Sequence, residues 1–459
     1  MATGHNFHSL ILREYDIRGI VGDTLHESDA QALGQAFGSL VRSDGGSRVC
    51  VGYDGRQSSP AMEAALVDGL QSTGVSVERV GLGPSPMLYF AATDSGADAG
   101  IMVTGSHNPP THNGFKMMLG RKPFFGDAIK NLSVQAASGE FATGKGSVSD
   151  KPAFENYVAR VLSDFKGDKE LSVVWDPGNG AAGEAVTAAV KGLPGRHLVI
   201  NGEIDGTFPN HHPDPTIPEN LEQLKAAVAA ENADVGFAFD GDGDRIGIID
   251  GNGNILWGDQ ILVILGEAVL AERPGAPIIA DVKASQVLFD EIARMGGQPV
   301  MAKTGHSLIK SKMNELNAPL AGEMSGHIFF ADHYYGFDDA LYAAIRFLSI
   351  LCQQDESLAD RYVRIPKAVN TPELRFSCPD DRKFAVIEEV KERLTESGAD
   401  VNNVDGVRVK QDGGWWLLRA SNTQAVLVAR CEADSETSLA ALKSALSEQL
   451  SASGVALPE

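Results

Sequence analysis

The sequence predicts three related α/β domains followed by one α+β domain. Three segments repeat one order of elements: an apolar strand ending in Asp, a turn, an amphipathic helix, a break containing Gly, and a second apolar strand. Strands that alternate with helices form βαβ units, in which helices cover both faces of a sheet. The strand-ending residues Asp54, Asp176 and Asp281 are about one domain length apart, which is too long a period for a solenoid.

The three repeated units are assigned from their hydrophobic periodicity. Their strand, helix and second strand are predicted at 48–54, 61–71 and 75–80; at 171–176, 183–191 and 197–200; and at 276–281, 285–295 and 299–302. We expect the corresponding α/β domains to occupy residues 1–150, 151–253 and 254–366.

The pattern changes after Pro366, where a fourth domain is expected at 367–459 behind a hinge at 367–372. Asp412-Gly413-Gly414 is typical of a hairpin turn. The strands and helices predicted around this turn are, in order, strand 374–377, helix 383–394, strands 407–410, 415–418 and 425–429, and helix 435–450.

Composition limits the classes of function. The chain has 39 basic and 61 acidic residues, a net charge of −22, which argues against a nucleic-acid partner because phosphate backbones need a basic face. Its four cysteines form no C-x-x-C pair, and no apolar run reaches the roughly 18 residues of a membrane span. We therefore expect a cytoplasmic protein with no membrane contact and no obligate protein partner.

The segment Phe239-Asp240-Gly241-Asp242-Gly243-Asp244-Arg245 joins two apolar strands. In an extended loop the three carboxylates lie on one side, where they repel each other unless a cation is bound. Hard oxygen ligands favour Mg²⁺. A Ca²⁺ loop would need Gly and Glu where Arg245 and Gly251 stand, and the remaining alternative is a solvated acidic turn.

A strand over 100–103 leads into Thr104-Gly105-Ser106-His107-Asn108-Pro109. Ser106 and His107 are adjacent, so we expect their side chains to diverge. The chain has no G-x-S-x-G elbow, and a serine hydrolase would need a base from elsewhere. The alternative is a structural role, in which the serine caps a turn.

Three further segments carry residues typical of ligand-binding loops. Residues 322–327, Gly-Glu-Met-Ser-Gly-His, carry groups that bind sugar hydroxyls, and residues 419–423, Arg-Ala-Ser-Asn-Thr, carry groups that bind phosphate. Residues 178–183, Gly-Asn-Gly-Ala-Ala-Gly, satisfy a dinucleotide-binding pattern. Asp176 and Pro177 stand where a pyrophosphate would approach, so we interpret this last segment as a structural turn.

Together, residues 104–109, 240–245, 322–327 and 419–423, in this order and one per predicted domain, resemble the α-D-phosphohexomutase family over essentially the whole chain. The form of 322–327 is similar to the bacterial phosphomannomutase/phosphoglucomutase branch. Phosphoglucosamine mutases usually carry another residue in place of Met324, so that activity is an alternative, as is a nicotinamide-dependent oxidoreductase. The resemblance implies a heart-shaped enzyme in which mixed sheets of the α/β domains and the α+β domain surround a central cleft.

The resemblance also implies roles for individual residues. Ser106 would carry a phosphoryl group, and Mg²⁺ would be held by Ser106, Asp240, Asp242 and Asp244. The other catalytic residues implied are His107, Lys116, Arg245 and His327, of which Lys116 and His327 are candidate proton shuttles. The substrate-binding residues implied are Tyr15, Arg18, Lys283, His306, Glu323, Ser325, Arg419, Ser421, Asn422 and Thr423.

The implied reaction interconverts hexose 1-phosphate and hexose 6-phosphate, with mannose, glucose or both as the sugar. Phosphoserine would donate to O6, and the resulting hexose 1,6-bisphosphate, which also serves as activator, would turn around before Ser106 takes a phosphoryl group back from O1. Each phosphate carries about −1.5 to −2 charges, so an acidic protein needs local cations. The expected cations are Arg18, Lys116, Arg245, Lys283 and Arg419.

Overall fold

The structure is a computed structural model that describes residues 4–422 and 424–457. Over these residues the strands form four sheets, and the first three mix parallel with antiparallel pairs. The predicted fold class is confirmed. No helix of the described ranges combines the length and hydropathy needed to cross a membrane.

The first sheet has the order β1-β5-β4-β2-β3-β7, with β6 on β5. Its strands are β1 (Ile17–Ile20), β2 (Arg48–Tyr53), β3 (Ser76–Leu82), β4 (Ala99–Val103), β5 (His112–Leu119), β6 (Lys122–Phe124) and β7 (Val148–Asp150). The accompanying helices are α1 (Glu27–Ser43), α2 (Ser59–Ser72), α3 (Ser85–Asp94) and α4 (Asp127–Ser138). Strand β4 is buried along its whole length, and its carboxyl end leads into the Ser106 loop.

The second sheet has the order β12-β11-β10-β8-β9. Its strands are β8 (Leu171–Asp176), β9 (Gly195–Val199), β10 (Val235–Phe239), β11 (Ile246–Asp250) and β12 (Ile255–Leu256), and its helices are α5 (Phe154–Leu162), α6 (Gly183–Ala189) and α7 (Glu222–Glu231). Strand β10 is buried on both faces, which explains its uninterrupted apolar run. The sheet continues to Leu256, three residues past the limit expected at 253.

The third sheet has the order β14-β13-β15-β16. Its strands are β13 (Pro277–Asp281), β14 (Gln298–Ala302), β15 (Leu320–Gly322) and β16 (Ile328–Phe330). The helices are α8 (Gly258–Glu272), α9 (Gln286–Arg294), α10 (His306–Leu316), α11 (Ala340–Cys352) and α12 (Leu358–Arg364). Helix α11 begins where the Asp339 side chain accepts a hydrogen bond from the Tyr342 amide.

The fourth sheet is antiparallel, in the order β17-β22-β21-β20-β19 with β18 on β22. Its elements are β17 (Val369–Asn370), β18 (Leu374–Ser377), β19 (Asp400–Asn402), β20 (Val407–Gln411), β21 (Gly414–Ala420), β22 (Val426–Ala433), α13 (Asp380–Glu396) and α14 (Glu436–Ala452). Gln411 pairs with Gly414, so the predicted hairpin turn is confirmed. The hinge expected at 367–372 is partly wrong, because β17 pairs with β22 inside the sheet.

The fourth domain has a core of its own and a small apolar contact with the third domain, formed by Val282, Trp415 and Leu417. One core around Trp175, Phe237 and Phe347 runs through the second and third domains and includes α3 of the first. The fourth domain has its own core around Trp416 and Leu446. The fourth domain can therefore keep its internal packing while its contacts with the other domains change.

Candidate functional site

The loop after β4 holds Ser106 in a left-handed backbone conformation, with φ at 51°. The Ser106 hydroxyl donates to Oδ2 of Asp240 at 3.2 Å. Nδ1 of His107 lies 3.3 Å from Oγ of Ser106. The expectation that Ser106 and His107 diverge is therefore wrong, because the positive φ turns both side chains to one side. Burial, followed by nearby Arg245, lowers the pKa of His107 well below its ordinary value, which favours the neutral imidazole.

The loop between β10 and β11 gathers the three predicted metal ligands. Asp240, Asp242 and Asp244 are fully buried, and one oxygen from each lies within 4.8 Å of the others. Oδ1 of Asp242 and of Asp244 are buried without a hydrogen-bond partner in the described part of the chain. Hard carboxylate oxygens left unpartnered in this way suit a small divalent cation.

Glycine is required where two loops meet: residues 240–245 between β10 and β11, here called the metal loop, and residues 104–111 after β4, here called the serine loop. A Cβ on Gly241 would lie 2.3 Å from the carbonyl oxygen of Ser106. Real Cβ atoms do not approach a backbone oxygen this closely, so any side chain would push the two loops apart. Gly241 therefore sets the distance between Ser106 and the carboxylates.

The charges of the metal loop are balanced unequally. Burial raises the pKa of Asp240 well above its ordinary value, and the neighbouring Asp244 and Asp242 raise it further. Burial alone would raise the pKa of Asp242 as well, but Lys116 outweighs burial and lowers it. Burial and the two neighbouring carboxylates therefore disfavour a negative charge on Asp240, and a cation bound among the three carboxylates would favour it.

Lys116 lies on β5, beside the strand that leads to Ser106. Its Nζ donates to Oδ2 of Asp242 and to Oδ2 of Asp244, each at 2.6 Å. Burial alone would lower the pKa of Lys116, but the two carboxylates raise it well above its ordinary value. Lys116 is therefore a charged partner of the metal loop and is poorly suited to accept a proton.

Ser85 also contacts the metal loop, and the sequence analysis missed it. Its hydroxyl donates to Oδ2 of Asp242, and its backbone amide donates to the Asp242 carbonyl at 2.8 Å. Ser85 is the first residue of α3, in the segment Pro84-Ser85-Pro86. The two prolines mark a helix start, but nothing in the sequence indicates that this start faces Asp242.

His327 is held by charged groups on both sides. Nε of Arg245 donates to Nε2 of His327 at 3.0 Å, and Nδ1 of His327 lies 3.0 Å from Oδ2 of Asp338. Asp338, also missed from the sequence, accepts a hydrogen bond from Nζ of Lys310 at 3.0 Å. The His306 ring stacks on His327 with centroids 5.5 Å apart, so two predicted histidines belong to one cluster.

The loop between β15 and β16 presents Glu323 and Ser325. Glu323 is buried and accepts a hydrogen bond from the Gly305 amide at 2.5 Å, and burial raises its pKa. Ser325 is partly exposed. The Gly326 carbonyl accepts a hydrogen bond from the Ile246 amide at 3.0 Å, which ties this loop to the strand that follows the metal loop.

The predicted phosphate-binding residues lie at the end of β21, which contains Arg419, and in the loop that follows it. Thr423 lies outside the described residues. Nε of Arg419 donates to Oδ2 of Asp405 at 2.9 Å, and Asp405 also accepts from the Thr304 amide at 3.1 Å. The buried Ser421 donates its amide to the Val426 carbonyl. Asp405, which the sequence analysis missed, therefore joins this loop to the third domain.

The five predicted cations all lie at the site, but each has a partner there. Arg18 pairs with Asp16 and donates to Oδ1 of Asn108 at 2.7 Å. Nζ of Lys283 lies 3.0 Å from Oε2 of Glu373. Lys116, Arg245 and Arg419 have the partners described above. These partners partly neutralise the five cations, so the site attracts phosphate less strongly than the number of cations alone suggests.

The glycine segment 178–183 is a structural turn, as expected. The Gly178 amide donates to Oδ1 of Asp176 at 3.0 Å, and the Ala181 amide donates to the Gly241 carbonyl at 2.9 Å. The amides of Asn179, Gly180 and Gly183 also donate to protein carbonyls. Amides occupied in this way cannot cradle a pyrophosphate, and the turn instead supports the metal loop.

Comparisons with known proteins cover the whole described fold. Models of the phosphoglucomutase/phosphomannomutase family match in four parts: alpha/beta/alpha domain I at residues 9–142, domain II at 154–253, domain III at 257–369 and the C-terminal domain at 373–449. A phosphomannomutase/phosphoglucomutase of Pseudomonas aeruginosa is 44% identical over 98% of this chain and 97% of its own length.

Two further relatives agree with this result. A phosphoglucomutase of Neisseria gonorrhoeae is 42% identical over 94% of each chain. A crystal structure of a phosphoglucomutase/phosphomannomutase family protein from Burkholderia thailandensis superposes with a TM-score of 0.94, at 44% identity, over 99% of this chain and 100% of that one.

Proposed function

The chain belongs to the phosphoglucomutase/phosphomannomutase family, and from this membership we propose that it interconverts the 1-phosphates and 6-phosphates of mannose, glucose or both. The observation that carries the proposal is the buried hydroxyl of Ser106, 3.2 Å from a carboxylate oxygen of Asp240. A hydroxyl placed beside clustered carboxylates and a lysine suits phosphoryl transfer, which depends on position and neutralised charge.

We propose that Mg²⁺ binds at Asp240, Asp242, Asp244 and an oxygen of phospho-Ser106. The unpartnered Oδ1 atoms of Asp242 and Asp244 support this ligand set. When bound, the ion would neutralise charge on the phosphoryl group. Lys116 would hold Asp242 and Asp244 in place from the opposite side.

The reaction proceeds by two transfers. In the first, O6 of a hexose 1-phosphate loses its proton and forms a bond to the phosphorus of phospho-Ser106, the bond from phosphorus to Oγ breaks, and Oγ takes up a proton. The hexose 1,6-bisphosphate then turns around within the site. In the second, Oγ of Ser106 loses its proton and forms a bond to the phosphorus on O1, the bond from that phosphorus to O1 breaks, and O1 takes up a proton. Added bisphosphate would also phosphorylate a fresh Ser106.

His327 is the better of the two candidate proton acceptors. Lys116 is charged and bonded to two carboxylates, whereas Asp338 beside Nδ1 of His327 would hold the proton on that nitrogen and leave a lone pair on Nε2. Arg245 donates to the same Nε2, so this hydrogen bond would have to break when substrate binds before His327 accepts the proton. His107 would orient the Ser106 hydroxyl.

The remaining residues would bind the two ends of the sugar phosphate. Glu323 and Ser325 would bind sugar hydroxyls, and Arg419 with its loop would bind whichever phosphate is not reacting. The other residues proposed to contact substrate are Tyr15, Arg18, Lys283, His306, Ser421, Asn422 and Thr423. Sugar phosphates are the proposed partners. The proposed domains are 1–150, 151–253, 254–366 and 367–459, with the second extended to Leu256 by strand β12.

Phosphorus NMR tests the proposal. The protein is mixed with Mg²⁺ and a trace of glucose 1,6-bisphosphate, and mannose 1-phosphate, glucose 1-phosphate and glucosamine 1-phosphate are added in separate samples. Conversion of the mannose or glucose compound to its 6-phosphate, lost in Ser106→Ala, is the expected result. Conversion of the amino sugar alone would assign the phosphoglucosamine alternative, and conversion of none would contradict a mutase.

A further inference from the structure

Arg56, a buried cation between β2 and α2, contacts the backbone of the serine loop without facing the cleft. Its side chain is 1% exposed. Nη2 donates to the carbonyls of Ser106 and Asn108, each at 2.6 Å, and Nη1 donates to those of Pro109 and His112 at 2.6 and 2.9 Å. One guanidinium therefore holds four carbonyl groups of this loop.

Asp54 holds the start of the same loop. Its Oδ2 accepts hydrogen bonds from Oγ1 of Thr104 at 2.7 Å, from the Gly105 amide at 3.2 Å and from Nε of Arg56 at 3.2 Å. Asp54 also neutralises the buried guanidinium, which would be costly to bury alone. The pair thus binds the loop from Thr104 to His112.

The loop needs external support because of its backbone conformation. Ser106 has φ at 51°, a left-handed conformation that costs free energy in a residue with a Cβ and persists only where the surroundings enforce it. The Ser106 carbonyl bonded by Arg56 is also the atom against which Gly241 of the metal loop packs. Arg56 therefore acts on the peptide that fixes the distance between the serine and the carboxylates.

Gly105 shows how closely the guanidinium fits. A Cβ on Gly105 would lie 2.5 Å from Cζ and from Nε of Arg56. Any side chain at position 105 would displace the guanidinium, so a small substitution in the loop disturbs the same contacts without removing Arg56.

We propose that Arg56 and Asp54 are positioning residues that hold Oγ of Ser106 against Asp240 for phosphoryl transfer. They do so through the loop backbone and contact no substrate. This inference rests on the proposed function, because it assigns the two residues to the transfer step of that reaction. Displacing a reacting group by about 1 Å costs on the order of 100-fold in rate, so the expected effect is on kcat.

The test compares Arg56→Lys with Arg79→Lys. Arg79 is a matched control because it forms a two-point pair with Glu63 in the same domain, at 2.7 and 2.6 Å, away from the serine loop. We expect Arg56→Lys to lower kcat by about 100-fold, to leave KM within about twofold, and to slow phosphorylation of Ser106 by hexose 1,6-bisphosphate equally. Arg79→Lys is expected to retain wild-type rates.

Gly105→Ala and Thr104→Val keep the test decisive if Arg56→Lys does not fold. Gly105→Ala disturbs the contact with Arg56 alone, whereas Thr104→Val removes a hydroxyl that donates to Asp54 and also accepts from the Ser106 amide. Both are expected to lower kcat with little change in KM. Wild-type kcat in folded Arg56→Lys, or in both loop variants, would overturn the positioning role while leaving the mutase intact. Absence of conversion by the wild-type protein would instead overturn the proposed function, and the positioning role with it.

Discussion

The side chain of Asn422 in the fourth domain donates a hydrogen bond to the hydroxyl of Tyr15 in the first, at 2.8 Å. The Tyr15 hydroxyl in turn donates to the Thr304 carbonyl in the third domain at 2.9 Å. Two parts of the chain 407 residues apart thus meet where the first, third and fourth domains adjoin. A substrate held between these domains would be enclosed by this contact.

Removing the Tyr15 hydroxyl should weaken substrate binding. Tyr15→Phe loses both hydrogen bonds across the cleft, and a loss of about 1.4 kcal/mol would raise KM about tenfold. We expect kcat to change little, because Tyr15 does not contact Ser106. Steady-state kinetics provide the measurement, with Tyr362→Phe on α12 as control. A lowered kcat with unchanged KM would contradict a role in enclosing the substrate.

Asp405→Asn should weaken binding of both sugar phosphates equally. Asp405 accepts from Nε of Arg419 and from the Thr304 amide. The variant loses the negative charge of this acceptor, which weakens its hold on Arg419 and loosens the contact between domains. If the one phosphate-binding site at Arg419 binds the phosphate at either end of the sugar, KM for the 1-phosphate and for the 6-phosphate should each rise about tenfold. Asp400→Asn, an exposed residue of the same domain, is the control. A rise in KM for only one of the two substrates would contradict a phosphate-binding site shared by both ends of the sugar.

Mg²⁺ should stabilise the protein through the metal loop. Buried Asp240, Asp242 and Asp244 repel one another, and a ligand at 100 times its Kd stabilises the folded state by about 2.7 kcal/mol. We expect the unfolding temperature to rise with Mg²⁺ concentration in the wild-type protein and to lose this dependence in Asp242→Asn.

The chain offers a control for the magnesium experiment. Glu272, Asp332 and His333 form another cluster of possible ligands, and Glu272 and His333 are exposed. Glu272→Gln should leave the magnesium dependence unchanged. If the unfolding temperature no longer depended on Mg²⁺ in Glu272→Gln but still did in Asp242→Asn, the ion would bind at the exposed cluster and the proposed metal loop would be contradicted.

Glu373 should make stability depend on acid pH. Burial alone would raise its pKa, but Lys283 and Arg375 outweigh burial and lower it to about 2 from 4.5. A carboxyl with a lowered folded-state pKa stabilises the protein above pH 4.5, by about 3 kcal/mol here, and this contribution is lost as the pH falls towards 2.

Glu373→Gln tests this linkage in thermal unfolding. The variant should be less stable than the wild-type protein at pH 7, and the difference should shrink between pH 4.5 and pH 3. Glu315→Gln, at an exposed ion pair with Lys312, should change little at either pH. A Glu373→Gln difference that grows on acidification would contradict the sign of the pKa shift.

The fold was largely predictable because local patterns determine it. Strands such as Val235–Phe239 are buried on both faces and read as apolar runs, and the turn at Asp412-Gly413 fixes the register of its hairpin. Strand β17 was not predicted because two residues carry no periodicity, and its pairing partner β22 lies about sixty residues further along the chain.

The site was predictable only where its residues form continuous motifs. Ser85 lies 157 positions from Asp242, and Arg56 lies 50 positions from Ser106. Asp405 and Asp338 are nearer in sequence to Arg419 and His327, but no motif joins them to these residues. Tertiary packing alone brings these groups together. The arrangement of Ser106 and His107 was predicted wrongly because a positive φ at a serine leaves no signal in the residue types.

Intact-protein mass spectrometry tests the central claim, that Ser106 is the phosphoryl carrier, most directly. The protein is incubated with Mg²⁺ and glucose 1,6-bisphosphate, freed of ligand, and then exposed to glucose 1-phosphate or mannose 1-phosphate. We predict a gain of one phosphoryl group, located at Ser106 by peptide mapping, absent in Ser106→Ala and lost on addition of the hexose 1-phosphate. Conversion of sugar phosphates by a protein that never carries this group, or that carries it at another residue, would contradict the account.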